Sequence, residues 1–162
     1  MTYKVAIIMG SRSDLDAMKE AANVLDIFGI EYEIRALSAH RTPQAVQEFI
    51  IGLADRGFAA VIAGAGGAAH LAGVCAAHTH LPVIGVPMKT SFAGGLDSLL
   101  STVQMPRGIP VATTATGGAG AYNAALLAVA MIGLADPQVQ ARYIQFRQDQ
   151  TAKVLEQAEI TL

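Results

Sequence analysis

"KVAIIMGSRSDLDAMKEAANVLDIFGIEYEIRAL", residues 4–37, decides the fold. Its first six residues form a nearly unbroken apolar run, the mark of a strand buried on both faces. The period then changes: over 13–28, Leu15, Met18, Ala22, Leu25 and Phe28 recur at helical spacing, and Gly29 stops the helix. A second strand follows over 31–37. Strand, helix and strand in this order imply a right-handed crossover between parallel strands.

The same alternation continues outward from this unit. It predicts a helix over 42–57, with Thr42 as N-cap and Pro43 in the first turn. Strands are expected over 59–64, 82–87 and 109–115, and helices over 67–80, 95–105 and 119–134. Pro137 opens a last, polar helix over 137–158. The expected fold class is α/β: a three-layer αβα sandwich on a central parallel sheet, flavodoxin-like, plus a long C-terminal helix. No linker, charge run or internal repeat divides the chain, so one domain, 1–162, is expected. The final helix follows no strand-helix unit and is long enough to pack on a neighbouring subunit.

Charged residues make up 15% of the chain and hydrophobic ones 52%, against a usual ~25% and ~45–50%. So few charges cover a monomer's surface poorly, which points to a homo-oligomer. A net charge of -2 with no basic stripe argues against nucleic acid. Cys75 is the single cysteine, which suits a reducing cytoplasm, and its expected place is the core. The most apolar helix candidate, 121–135, falls short of the ~20 residues that span a bilayer. The N-terminus lacks a signal peptide's charged start and cleavage site. A soluble, cytoplasmic protein with no membrane partner is expected.

Ligands of such sheets bind beyond the carboxyl ends of the strands. That directs attention to the loops 10–14, 38–42, 64–70, 87–95 and 113–120. In "MGSRSD" (9–14), free N–H groups at a helix start and the hydroxyls of Ser11 and Ser13 suit a phosphate, and equally suit ordinary capping. Neither a Walker loop nor a dinucleotide fingerprint is present. Asp14 either complements the helix dipole or accepts hydrogen bonds from sugar hydroxyls.

"SAHRTP" (38–43) is the rarer signal. Histidine gives and takes a proton near neutral pH, and arginine is a permanent cation suited to phosphate or carboxylate. His40 and Arg41 are therefore either a catalytic pair or a loop histidine beside a solvated arginine. "AGAGGAAHLAG" (63–73) lets a ligand lie against the backbone, or lets a helix pack tightly on the sheet. His70 falls in the first turn of the helix expected there, while His78 and His80 at its other end suit capping or an interface. "GGAG" (117–120) reads either as an anion loop or as a hinge. No metal site is expected, since Cys75 has no partner cysteine and the histidines lack a HExxH frame.

Together these segments resemble the bacterial-type carboxyaminoimidazole ribonucleotide mutases of purine biosynthesis. "MGSRSD", "SAHRTP", "AGAGGAAHL", "PVIGVP", "DSLLSTVQMPRGIPV" and "GAGAYNAALLA" stand in that family's order and spacing, from about residue 4 to the final helix near 155. The resemblance implies an isomerase that turns N5-carboxyaminoimidazole ribonucleotide into its carbon-carboxylated isomer without ATP, biotin or metal. It implies a small-molecule substrate and an octamer. Ser11 and Arg41 would hold the 5'-phosphate with Ser13 nearby, Asp14 the ribose hydroxyls, and His40 would be the general acid and base. Ser38 and the 64–69 loop, with Ala65, Gly66, Gly67 and Ala68, would line the reacting end, with His70 close to the carboxylate or the ring. Arg12 stands where lysine is frequent, which preserves the charge, and 88–94 departs from the family's usual pattern.

One carboxylase related to these mutases takes free carbon dioxide and usually has lysine after the corresponding histidine. This chain has Arg41-Thr42-Pro43 instead, which favours the mutase. A non-catalytic nucleotide-binding module is the reading from another class, because flavodoxin-like sheets serve many functions. It would keep Ser11 and Arg41 and have no need of His40.

Overall fold

The structure, a computed structural model, describes residues 3–158, so the first two and last four residues of the expected 1–162 domain lie outside it. Five strands are present: β1 (Lys4–Met9), β2 (Glu31–Ala36), β3 (Phe58–Ala65), β4 (Val83–Pro87) and β5 (Ala112–Thr113). All pair in parallel, in the order β2-β1-β3-β4-β5. This is the flavodoxin-like order, with the chain reversing direction across the sheet between β1 and β3. The helices are α1 (Leu15–Ile27), α2 (Pro43–Ile51), α3 (Leu71–His78), α4 (Leu96–Val103), α5 (Gly118–Gly133) and α6 (Pro137–Leu155).

Successive strand residues point to opposite faces, and β1 shows what that does at the centre of a sheet. Val5, Ile7 and Met9 pack under α1 and α5, whereas Ala6 and Ile8 pack under α2 and α3. Every one of the five is buried. Helix α4 joins the second face: a Cβ on Gly85 of β4 would stand 2.5 Å from Thr102 of α4 and 3.3 Å from Ala72 of α3. The expected three layers are therefore present. Cys75 is buried in the second core, where burial pushes its thiol up to about 12. That keeps it a protonated, unreactive packing group.

Most elements differ from their expected bounds by one to three residues at an end, and α2 and α3 by more. The helix expected over 13–28 starts at Leu15, after a 3-10 turn over Arg12–Asp14 capped by Ser11. That expected over 42–57 ends at Ile51; Leu53 turns into the core, and Gly57 closes the turn at φ +82°. That expected over 67–80 starts at Leu71, because Gly67 at φ +67° cannot continue a right-handed helix. His70 is thus the N-cap rather than a first-turn residue. Strand β5, expected over 109–115, pairs only at Ala112 and Thr113. Pro110 has no N–H to give a ladder, and Gly108 turns the chain at φ +96° just before it.

Helix α6 packs its first half on its own chain. The rings of Tyr143 and Phe146 meet Phe28 edge-on at 6.2 and 5.4 Å. From Arg147 to Ala158 every residue is exposed. Among the described residues no helix is long and apolar enough to cross a membrane.

Candidate active site

The carboxyl ends of β1, β2, β3 and β4 converge on one open cleft of about 440 Å³. The β1 loop contributes Gly10, Ser11, Ser13 and Asp14. Ser11 Oγ accepts from the Ser13 N–H at 3.3 Å and from the Ser13 hydroxyl at 2.9 Å. That hydroxyl has a single proton, which Asp14 Oδ1 at 3.3 Å also attracts. Ser11 thus caps the short turn that follows it, and a phosphate in the cleft would compete with these bonds for the same two hydroxyls. Burial raises the Asp14 carboxyl above its ordinary value, against the lowering effect of its bonds with Ser13 and Ser11.

The β2 loop holds Ser38, Ala39, His40 and Arg41 over the same cleft. Thr42, expected to cap α2, makes no side-chain bond to that helix. Its hydroxyl instead accepts from the Ser38 N–H at 2.9 Å and donates to the Ser38 carbonyl at 3.1 Å. Ser38 Oγ in turn accepts from the Arg41 backbone N–H at 3.2 Å and from Arg41 Nε at 3.3 Å. This closed ring of bonds presents His40 and Arg41 together.

From the β3 loop come Ala65, Gly66, Ala68 and His70. A Cβ on Gly66 would stand 3.2 Å from Met88 Cβ, so the two loops pass with little space between them. Gly67, also expected at the reacting end, does not line the cleft. Its N–H donates to Ser98 Oγ of α4 at 2.9 Å and is not offered to a ligand. His70 stands across the cleft mouth from the β2 loop: its Nδ1 lies 2.8 Å from His40 Nε2, with the rings at 85° to one another. The expected site residues thus stand around one space, with Gly67 as the exception.

Among the cleft residues that carried no expectation as ligands are Met88, Lys89 and Thr90, which follow β4. The Lys89 stem lies over Gly117, where an added Cβ would meet its Cε at 3.2 Å. Thr90 Oγ1 donates to Asp97 Oδ1 at 2.6 Å and accepts from the Phe92 N–H at 3.2 Å, which fixes the turn that carries Lys89. The Thr90 bond holds the Asp97 carboxyl below its ordinary value. The available signal was position alone, a cation in a strand-end loop of a charge-poor chain. Ser98, buried in the first turn of α4, gave none.

Among the described residues no carboxylate pairs with Arg41 or Lys89. With one carboxylate, Asp14, in the cleft and two such cations, the site favours an anionic ligand. A histidine within hydrogen-bond reach of another histidine adds acid-base capacity. No group of three His, Cys, Asp or Glu side chains among the described residues is placed to hold a metal ion.

Several known proteins are close to this chain in sequence. The N5-carboxyaminoimidazole ribonucleotide mutase of Pseudomonas aeruginosa is 52% identical over 156 residues, 96% of each chain. That of Mycobacterium tuberculosis is 56% identical over 152 residues, covering 94% of this chain and 86% of its own. The crystal structure of Treponema denticola PurE superposes with a TM-score of 0.85 at 31% identity, covering 95% of both chains. The model of the family described as AIR carboxylase matches residues 4–153, every strand and every cleft loop included. On that match and those identities, the chain belongs to the AIR carboxylase family.

Proposed function

We propose that this chain is the mutase of its family, converting N5-carboxyaminoimidazole ribonucleotide to 4-carboxy-5-aminoimidazole ribonucleotide in purine biosynthesis. The observation that carries the proposal is the adjacency of His40 and Arg41 in a cleft shared with Ser11, Ser13 and Asp14. One ligand with a phosphate, a ribose and a reactive ring uses all of them. Relatives more than half identical over nearly the whole chain are named mutases, which favours isomerisation over direct carboxylation.

Arg41, with Ser11 and Ser13, holds the 5'-phosphate through charge-assisted bonds. Asp14 accepts from the ribose hydroxyls. His40 gives a proton to the carbamate nitrogen, whose bond to the carboxyl carbon then breaks, and the bonding pair stays on nitrogen. The freed carbon dioxide is attacked by the enamine-like ring carbon, and His40 takes back the proton that leaves that carbon. Donor and acceptor are one group, so the cycle closes without external acid or base. Ser38, Ala65, Gly66, Ala68 and His70 line the reacting end and keep the gas beside the ring. Gly67 supports the same loop through Ser98.

The active form we propose is a cytoplasmic homo-octamer built from single-domain chains, with α6 at a subunit contact. Support comes from the 15% charged composition and from exposed Ile144, Val154 and Leu155 on α6. Carboxyl-labelled substrate tests the chemistry. In excess unlabelled bicarbonate the product should keep most of its label, and turnover should not rise with bicarbonate. Complete washout, with turnover proportional to dissolved carbon dioxide, would replace the mutase by a carboxylase. Ligand binding with no conversion would leave only a nucleotide-binding module.

A further inference from the structure

His40 and His70 come from different strand ends, 30 residues apart, yet their rings meet nitrogen to nitrogen at 2.8 Å. One proton lies between Nε2 of His40 and Nδ1 of His70. A neutral imidazole has one N–H and one lone pair, and an imidazolium has two N–H groups and no lone pair. Two imidazolium rings cannot make this bond, because neither would accept.

The chemistry proposed for His40 then fixes the direction of the bond. As the acid that protonates the carbamate, His40 carries a proton on both nitrogens, so its Nε2–H must donate and His70 Nδ1 must accept. His70 is then neutral, with its own proton on Nε2. After His40 gives up its other proton, from Nδ1, the Nε2–H bond to His70 is still intact. The same nitrogen, Nδ1, is left bare and ready to take the proton from the ring carbon. The ring need neither turn nor exchange tautomers between the two steps.

We propose that His70 is a positioning residue that holds His40 as the Nε2–H tautomer and thereby makes Nδ1 the working nitrogen. The logic is that of a triad in which a third group fixes the tautomer of the catalytic histidine, with a neutral imidazole in place of a carboxylate. This inference rests on the acid-base role proposed for His40. The local structure serves it: His70 is the N-cap of α3, and its backbone N–H is held by the Ala68 carbonyl at 2.9 Å. His40 is held by the bonds among Ser38, Arg41 and Thr42. Neither ring depends on a mobile chain end.

Neutron diffraction from deuterium-exchanged crystals of the whole enzyme reads the proton directly. The expected map shows a deuteron on His40 Nε2 and none on His70 Nδ1. A deuteron on His70 Nδ1 overturns the inference. Kinetics of two variants supply the second reading. In His70→Asn the amide oxygen stands near the place of Nδ1 and can accept the same N–H, whereas His70→Leu offers no acceptor. H70N should keep most of kcat and H70L should lose about 10²-fold or more, the lower end of what a positioned acid-base group contributes. KM should move far less in both. Equal losses in the two variants, or near-normal kcat in H70L, overturn the inference. The neutron map needs no turnover, so an absence of isomerase activity would count against the function alone.

Discussion

Arg41 Nη2 donates to the carbonyl oxygen of Gly10 at 2.8 Å, tying the loop after β2 to the end of β1. The guanidinium has five N–H groups, and this bond together with that to Ser38 leaves others for a ligand. Arg41→Ala removes both the tie and the cation. Affinity for aminoimidazole ribonucleotide should fall by ~10–100-fold, the equivalent of a charged hydrogen bond worth ~1.5–3 kcal/mol. Arg41→Lys should recover part of it, since the charge remains and the fork does not. Calorimetric titration giving unchanged affinity for the alanine variant would remove the phosphate role.

His40→Asn should bind substrate nearly as well as the parent and turn it over ~10²–10⁴-fold more slowly. The amide fills similar space and relays no proton at neutral pH. Single-turnover kinetics beside a binding titration separate the two effects. Near-normal turnover would make His40 a structural residue of the loop.

Lys89 lines the cleft without a carboxylate partner among the described residues, and its stem already rests on Gly117. Lys89→Met keeps the stem and removes the charge. KM should rise with little change in kcat, and kcat/KM should become less sensitive to salt, because one steering charge is gone. An unaltered salt dependence would place the ammonium outside the ligand's field.

Gly120 cannot accept a side chain. A Cβ there would stand 1.6 Å from the Ala115 carbonyl oxygen, and the Gly120 carbonyl accepts from Thr114 Oγ1 at 2.9 Å. Gly120→Ala must move the backbone that leads from β5 into α5, and a loss of ~1–3 kcal/mol is expected by analogy with overpacked cores. At Gly64 the nearest atoms to an added Cβ, Met18 Sδ at 2.6 Å and Met88 Cε at 3.0 Å, belong to flexible side chains. Gly64→Ala should therefore lose less. Urea midpoints in the reverse order would contradict the close approach at Ala115.

The sheet was legible because β1 and β3 are buried on both faces and read as unbroken apolar runs between helical periods. Helix ends were less legible, since they depend on contacts made after folding. Ser98 takes the Gly67 N–H from another element, and nothing in "AGAGGAAHL" announces that α3 will start four residues late. The site followed the same division. Ser11, His40 and Arg41 stand at strand ends and could be found by position, whereas the His40–His70 bond joins residues whose spacing along the chain carries no motif. Lys89 was hidden for a related reason: its loop has strand-end placement, but only the fold shows its stem crossing Gly117.

Asp14 sets ligand binding against stability. Burial is the largest influence on its carboxyl and raises its pKa, and the bonds with Ser13 and Ser11 offset this only in part. A carboxyl whose folded pKa is raised favours the folded state most while protonated, below the ordinary carboxylate value of ~3.9. That contribution is lost as pH rises through the raised folded value. At neutral pH the ionised Asp14 therefore weakens the ligand-free protein, although its partial exposure lets solvent screen the charge and keeps the effect small. Asp14→Asn should raise the Tm of the ligand-free protein slightly at neutral pH, and the gain should vanish below about pH 3.5, where the parent carboxyl is also uncharged. The same variant should bind ribose 5-phosphate more weakly, because an amide is a poorer acceptor for two ribose hydroxyls than a carboxylate. Thermal melts across that pH range and a ribose 5-phosphate titration read the two sides separately. A Tm gain that does not depend on pH would mean that packing, not charge, sets the effect, and unweakened ribose 5-phosphate binding would take Asp14 out of the sugar site.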